Sequence, residues 1–270
     1  MRLKNKVILI TGGYTGIGRA IAMHCVKEGA KVLVNGLEGS GGKALEKTLG
    51  SENAVEVTID ITESDAPGQL VRSALKKFGK LDAVVNNAAL VASSNIETTD
   101  NEFLQRILAV NTMAPLAIIQ AALPYLTETR GCVLNIGSIN AWCGEPDLLA
   151  YSMSKGALMT MSRNLGDVLF REKGVRVNQI NPGWVLTERE VVDKKQQGMR
   201  EDWYKDLPDI FAPAQRIFSP EEIAAAAVYL LSDECGPVSG QVIELEQFPL
   251  IGRNLPKKWE ASHMGRDKKP

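Results

Sequence analysis

Short β-branched runs alternate with longer helix-patterned stretches along almost the whole chain, and this alternation limits the fold more than any other feature. Strand patterns fall at 7–11, 32–35, 54–59, 83–85, 132–136, 175–180 and 242–245. Helix patterns lie between them, near 17–28, 41–49, 63–78, 101–125, 150–172 and 220–232. Strands that alternate with helices need crossover connections, and crossovers of one hand cover both faces of a parallel sheet. The expectation is a single doubly wound, Rossmann-type α/β domain with a seven-stranded, mainly parallel sheet and helices on both faces. Its ligand crevice would lie at the carboxyl ends of the strands. Residues 1–247 would form the dinucleotide-binding and catalytic domain and 248–270 a C-terminal tail, its last residues disordered. The polar stretch 184–219, with Trp184, Trp203, Tyr204 and Phe211, is too long for a connection and reads as a substrate loop or lid.

Composition excludes several classes. The 270 residues are 44% hydrophobic and 23% charged with a formal net charge of −1. That is enough apolar material for a core without staples, and no field suited to nucleic acid or an anionic membrane. No apolar run approaches the roughly 18 residues of a membrane span. The first residues run straight into a strand without a signal-peptide apolar region, so a cytoplasmic location is expected. Cys25, Cys132, Cys143 and Cys235 have no CxxC spacing, and His24 and His263 are far from any ligand cluster, so no metal site is expected. Cys25 and Cys132 read as small apolar packing residues.

The first strand pattern runs into Thr11-Gly12-Gly13-Tyr14-Thr15-Gly16-Ile17-Gly18 at the start of a helix. Glycines there allow a tight turn and close approach of backbone to a pyrophosphate, and the helix N-terminus supplies free N–H donors. No Gly-Lys-Ser/Thr follows, which argues against a P-loop. Further along, Tyr151 and Lys155 are spaced i, i+4 at the start of a helix and share one face. Ser138 ends strand five, Asn86-Asn87-Ala88-Ala89 ends strand four, Asn181-Pro182-Gly183 ends strand six, and Asn111 lies in the helix after strand four. One edge of the sheet thus collects every polar group with chemistry to offer.

On these residues the chain resembles the short-chain dehydrogenase/reductase family, classical type, from about Lys6 to Leu245. The segments that carry the likeness are TGGYTGIG (11–18), Asp60, NNAA (86–89), Asn111, Ser138, YSMSK (151–155) and NPGWVLT (181–187). The resemblance implies a nicotinamide-dependent alcohol dehydrogenase or carbonyl reductase with a catalytic tetrad of Asn111, Ser138, Tyr151 and Lys155. It implies a cofactor lined by Gly12, Tyr14, Thr15, Gly16, Ile17, Gly18, Asn35, Gly36, Asp60, Ile61, Asn86, Asn87, Ala88, Tyr151, Lys155, Pro182, Gly183, Val185 and Thr187. Asp60 and Ile61 would meet the adenine, and Thr187 the carboxamide. Tyr151 would transfer the proton, Ser138 hold the substrate oxygen, Lys155 bind the nicotinamide ribose, and Asn111 hold a water leading from Lys155 to solvent. A free tyrosine titrates near 10, and lowering it by about three units takes about 4 kcal/mol. The Lys155 ammonium together with an oxidised nicotinamide is the expected source. Two positions depart from the family pattern: Ala89 replaces a glycine, and Glu244-Leu245-Glu246-Gln247-Phe248 stands where Asp-Gly-Gly usually ends the last strand.

At Val34-Asn35-Gly36-Leu37-Glu38 there is neither the acid usual for NAD nor, at Leu37 or Thr15, the arginine usual for NADP. Glu38 would repel a 2′-phosphate, so NAD is favoured, with NADP the alternative and Lys43 the one basic residue nearby. The mouth should include Asn140, Trp142, Glu145 and Trp184, a mixed polar and aromatic set that suits a small polar alcohol such as a sugar or polyol, its ring stacked on a tryptophan. Either tryptophan could instead pack the lid. The alternatives are an NADPH-dependent reductase of ketones or 3-oxoacyl thioesters and, more remotely, a non-catalytic cofactor sensor. Apolar residues such as Leu108, Met113, Leu158, Met159 and Met161 either pack on the sheet or, as the resemblance implies, meet across a twofold axis in a homodimer or homotetramer.

Overall fold

The computed structural model describes residues 1–200, 202–209 and 212–248. The strands are β1 (Val7–Ile10), β2 (Lys31–Gly36), β3 (Ala54–Thr58), β4 (Ala83–Asn86), β5 (Cys132–Ile136), β6 (Arg176–Pro182) and β7 (Val242–Leu245). They form one sheet in the order β3-β2-β1-β4-β5-β6-β7, and every pairing is parallel. The chain folds outward from β1 in one direction and from β4 in the other, so the crevice of a doubly wound sheet opens at the carboxyl ends of these two strands.

The helices are α1 (Gly16–Lys27), α2 (Gly39–Leu49), α3 (Ala66–Phe78), α4 (Asn101–Leu108), α5 (Ala114–Thr129), α6 (Asn140–Cys143), α7 (Leu149–Lys173), α8 (Glu188–Gln196) and α9 (Pro220–Leu231). Side chains of a strand alternate between faces, and β1 divides accordingly. Ile8 and Ile10 pack under α1 and α9 with Ile21, Cys25, Ile223 and Ala227, whereas Val7 and Leu9 face Leu70, Ala74, Ile118 and Leu126 of α3 and α5. Burial of each such aliphatic side chain is worth about 1.5–3 kcal/mol. Both layers are continuous, so the carboxyl edge rests on a close-packed base.

The expected seven-stranded doubly wound sheet is present and wholly parallel. The structure departs from expectation in two other places. The stretch expected as one helix at 101–125 is interrupted by a π turn, Ala109–Met113, and continues to Thr129. An 18-residue window within this stretch of 29 residues has a mean hydropathy of 1.6, so one helix does reach the length and apolarity of a membrane span. Ile107, Ala114, Ile118, Ile119, Ala122 and Leu126 along it are buried within the protein, most of them against the sheet and α3. The second departure is the stretch 184–219, which contains α8, a 3₁₀ turn at Trp203–Lys205 and a small core of its own made by Trp203, Leu207, Ala212 and Ile217. Phe211 and the tail beyond Phe248, both singled out from the sequence, lie outside the described residues.

Candidate active site

The glycine loop is held shut by the NNAA segment. Thr11 Oγ1 accepts from the backbone N–H groups of Asn87 (3.0 Å) and Ala88 (3.1 Å). The Asn87 amide donates to the carbonyls of Thr11 (3.0 Å) and Gly12 (2.9 Å). Gly12 (φ +60°) and Gly16 (φ +52°) occupy the left-handed region, and a Cβ on Gly12 would lie 2.8 Å from Ala88 Cα. A Cβ on Gly18 would run into the Gly12 carbonyl and the Asn87 amide. Glycine is needed at both ends of the loop because the backbone itself is in contact. Thr15 is the exposed N-cap residue of α1, and its side chain makes no cap bond.

An anion already stands at this helix end. Glu188, the first residue of α8, accepts from Gly16 N–H at 3.1 Å through Oε2, and its Oε1 lies 3.6 Å from Arg19. The Thr187 side chain packs on Gly16, and its hydroxyl caps α8 by accepting from Glu190 N–H at 3.1 Å. A carboxylate on the first N–H of α1, above a cradle that only glycine can line, is what a pyrophosphate site looks like with a protein anion in it. Glu188→Gln is therefore expected to tighten dinucleotide binding severalfold, up to about fivefold, with a larger gain at low salt. Fluorescence titration at two ionic strengths checks this, and weaker binding by the variant would show that Glu188 supports the loop instead.

At the carboxyl ends of β2 and β3, Asn35 is buried and its amide donates to the carbonyls of Val57 (3.1 Å) and Ile59 (3.0 Å), tying the two strands together. Asp60 Oδ1 accepts from Thr62 N–H and Oγ1, and Ile61 is buried beside it. Gly36 is covered by the ring of Tyr14.

The four tetrad residues stand at the same edge, beyond β5 and on α7. Burial raises the Tyr151 phenol to about 12, with a smaller push from the Glu145 carboxylate, while the Ser138 hydroxyl pulls it the other way. Lys155 is 2% exposed, lies 5.6 Å from the Tyr151 ring centre and donates to the Ile136 carbonyl at 2.8 Å. Burial brings its ammonium down to about 8. In the protein alone, desolvation moves both groups toward their neutral forms. Asn111 sits in the π turn and straps the loop after β4 to α7. Its Oδ1 accepts from Leu90 N–H (2.7 Å), and its amide donates to Leu90 O (3.0 Å) and Ser154 Oγ (3.0 Å). Because that side chain is spent on the strap, a water between Asn111 and Lys155 would fall to the main chain.

Sequence reasoning missed a buried chain of polar groups beneath the tetrad. Asn86 donates to Asn135 (2.9 Å), Asn135 to Ser162 (2.8 Å), Ser162 to Gln179 (2.7 Å) and Gln179 to Asn181 (2.7 Å). Asn181 Oδ1 also accepts from Ser138 N–H at 3.1 Å, so the chain ends on the backbone of the tetrad serine. Gly137 precedes Ser138 because a Cβ there would strike Asn181 and Gln179. Two polar atoms of this group, Asn86 Oδ1 and Asn181 Nδ2, are buried without a protein partner. Polar residues in three adjacent central strands were the available signal, since a central strand pays heavily for an unpartnered amide.

At the mouth, Asn140 donates to Glu145 at 3.2 Å. The two tryptophans have protein neighbours. Trp184 stacks on Trp203 with ring centres 4.8 Å apart and donates to Glu190 at 2.7 Å. Trp142 lies 4.7 Å from the Arg163 guanidinium, twelve residues along α7 from Tyr151. Val185 is buried and bridges Phe218, which joins the two ends of the lid. Pro182 O accepts from Ile139 N–H, and Gly183 N–H donates to Leu245 O. The departure after β7 also has a structural use. Glu246 abuts Gly183, while Gln247 accepts from Ala214 N–H (2.9 Å) and donates to Arg216 O (2.7 Å), so the strand end fastens the lid's return.

A glycine cradle at the switch point of a doubly wound sheet, with Ser138, Tyr151 and Lys155 on the same edge, defines a nicotinamide-dependent oxidoreductase. The family profile described as Enoyl-(Acyl carrier protein) reductase matches residues 12–246. The L-fucose dehydrogenase of Mus musculus is 35% identical over 234 residues, covering 86% of this chain and 84% of its own. Glucose 1-dehydrogenase 2 of Bacillus subtilis is 33% identical, covering 89% and 93%. The crystal structure of L-sorbose reductase from Gluconobacter frateurii, complexed with NADPH and L-sorbose, superposes with a TM-score of 0.85 at 27% identity, covering 91% of this chain and 97% of that one. The chain belongs to the short-chain dehydrogenase/reductase family.

Proposed function

We propose that this chain interconverts a small polar alcohol, a sugar or polyol, and its carbonyl compound, with NAD as the preferred cofactor and residues 1–247 as the catalytic unit. The observation that carries the reading is the placement of the buried Lys155 amine 5.6 Å from the Tyr151 ring centre, on the edge that also bears Ser138 and the glycine cradle. When bound, the nicotinamide supplies the hydride acceptor or donor and, oxidised, a positive charge near the phenol. Ser138 Oγ holds the substrate oxygen and Tyr151 Oη exchanges its proton. Held at about 12 by burial, the phenol is a ready proton donor for carbonyl reduction. For alcohol oxidation it needs positive charge close by, and Lys155 contributes part of it. The Asn111 strap keeps α7 and the Tyr151 segment in register with the loop after β4.

Substrate polarity is supported by Asn140 and Glu145, since Glu145 is close enough to act on the Tyr151 phenol. Glu145→Gln is expected to raise KM for a polyol about tenfold, as expected for loss of one charged hydrogen-bond acceptor, while KM for a plain aliphatic alcohol of the same size changes little. Steady-state kinetics on the two substrates checks this. Equal effects on both, or activity confined to 3-oxoacyl thioesters with NADPH, would move the reading to the reductase alternative. A cytoplasmic setting and a homodimer or homotetramer complete it. Leu158 and Met159 are buried, but Met113, Leu116, Met153 and Val168 remain exposed on the helices available to a second copy.

A further inference from the structure

The end of β2 carries neither an acid nor an arginine, and an aromatic ring stands in that place. Tyr14 turns back from the glycine loop and lays its ring over Gly36. A Cβ on Gly36 would lie 2.6 Å from Cε2 and 2.7 Å from Cγ of that ring. A Cβ on Gly42 would lie 2.5 Å from Cζ and 2.7 Å from the hydroxyl, and one on Gly41 would lie 3.5 Å from Tyr14 Cβ. Three glycines, one ending β2 and two in the first turn of α2, thus form a slot one ring wide. The hydroxyl at its far end donates to Glu56 Oε2 at 3.0 Å and meets Thr58 Oγ1 at 3.2 Å, and Thr58 donates to the same Glu56 oxygen at 3.0 Å. Tyr14 is 8% exposed, so the slot is filled rather than merely lined.

In a doubly wound dinucleotide fold, the group about 20 residues beyond the glycine loop meets the 2′ position of the adenosine ribose. Gly36 is that position here, and its lack of a side chain follows from the ring that covers it. We propose that Tyr14, backed by Glu56, is the specificity-determining residue for the adenosine ribose: it fills the volume a 2′-phosphate would enter and sets a carboxylate behind it, so that NAD is selected over NADP. The inference rests on the nicotinamide reading above and adds the residue that makes the choice. A 2′-phosphate carries close to two negative charges and needs a cationic partner. At this corner it would meet Glu56 behind the phenol and exposed Glu38 in front, while Lys43 is exposed on α2. A side chain at position 36 could not coexist with the ring, so the acid that usually holds the ribose 2′-OH from that position is excluded and Tyr14 stands in its place.

The test is direct binding, read by tryptophan fluorescence or calorimetry without turnover. NAD, NADP, 5′-AMP and adenosine 2′,5′-bisphosphate are the probes, used with wild type, Tyr14→Phe and the double variant Tyr14→Ser/Glu56→Gln. Wild type should bind NAD over NADP, and 5′-AMP over the bisphosphate, by about tenfold or more in each case. Tyr14→Phe keeps the ring and should keep most of that preference. The double variant should bring both ratios to within about threefold of unity, chiefly by strengthening the 2′-phosphorylated ligand. Each ratio is measured within one protein preparation, so partial destabilisation does not mimic the effect. Equal wild-type affinities, or ratios unchanged in the double variant, overturn the role of Tyr14 and leave the nicotinamide reading standing. Binding of no dinucleotide by any of the three proteins overturns both.

Discussion

Tyr151→Phe is expected to lower kcat about a thousandfold while leaving the cofactor dissociation constant within about twofold of wild type. The substitution removes one oxygen and keeps the ring against which Lys155 lies at 5.6 Å. Ser138 remains placed through its backbone N–H on Asn181. What disappears is the group proposed to exchange the substrate proton, and on that proposal its loss acts on the chemical step rather than on binding. Steady-state rates set beside a fluorescence titration of cofactor check both halves. A fall in kcat matched by an equal loss of cofactor affinity would assign Tyr151 a structural role.

Lys155→Met should also lose turnover, by a hundredfold or more, and yet yield a more stable protein at pH 7. The wild-type ammonium is buried with the Ile136 carbonyl as its hydrogen-bond partner, and its pKa falls from 10.5 to about 8. A depressed pKa in the folded state means that the lysine penalty is absent above pH 10.5, where the group is neutral in both states. It grows as pH falls through the window from 10.5 to 8, and below 8 it is present in full. The shift corresponds to about 3 kcal/mol, from which about 1 kcal/mol is subtracted for the lost hydrogen bond. Methionine fills nearly the same volume, so the net gain at pH 7 is about 2 kcal/mol, or roughly 4–8 °C in Tm for a chain of this length. Tyr151 acts in the opposite sense. Its raised pKa stabilises the fold below pH 10 and that contribution is lost as pH rises toward 12. Melting curves of the two proteins from pH 7 to 10 should therefore converge as pH rises. A variant less stable than wild type at pH 7 would mean that Lys155 is held by more than one carbonyl.

The sheet was legible because its inner strands are buried on both faces. VILI of β1 and CVLNI of β5 read as apolar runs with no helical period, and both are wholly buried. The glycine loop and the Tyr151–Lys155 spacing were legible for a different reason: each needs a particular residue at a particular offset within one element. Features made by contact between distant segments left no such trace. Tyr14 meets Glu56 across 42 residues, and nothing local to either announces the slot. The Asn86–Asn135–Ser162–Gln179–Asn181 chain is spread over three strands and a helix, so each member reads alone as an isolated polar residue. The lid looked like loop because its helix α8 is highly charged and its core comes from stacked Trp184 and Trp203, a pairing with no periodic signature. The setting of the tyrosine was half legible, because charge proximity can be guessed from i, i+4 spacing, whereas desolvation depends on what the rest of the fold places above the pair.

The central claim is that this chain moves a hydride between a nicotinamide and a small alcohol or carbonyl compound, with Tyr151 handling the proton. The measurement that meets it most directly is absorbance at about 340 nm, after NAD and NADP titrations have established saturation. Wild type and Tyr151→Phe are mixed in parallel with sugars, polyols and simple alcohols, and in the reverse direction with the matching carbonyl compounds. The expected result is NADH formation by wild type on at least one sugar or polyol and almost none by the variant at equal cofactor occupancy. Saturated cofactor with no absorbance change across the whole panel in either direction, or equal rates from the two proteins, would contradict it.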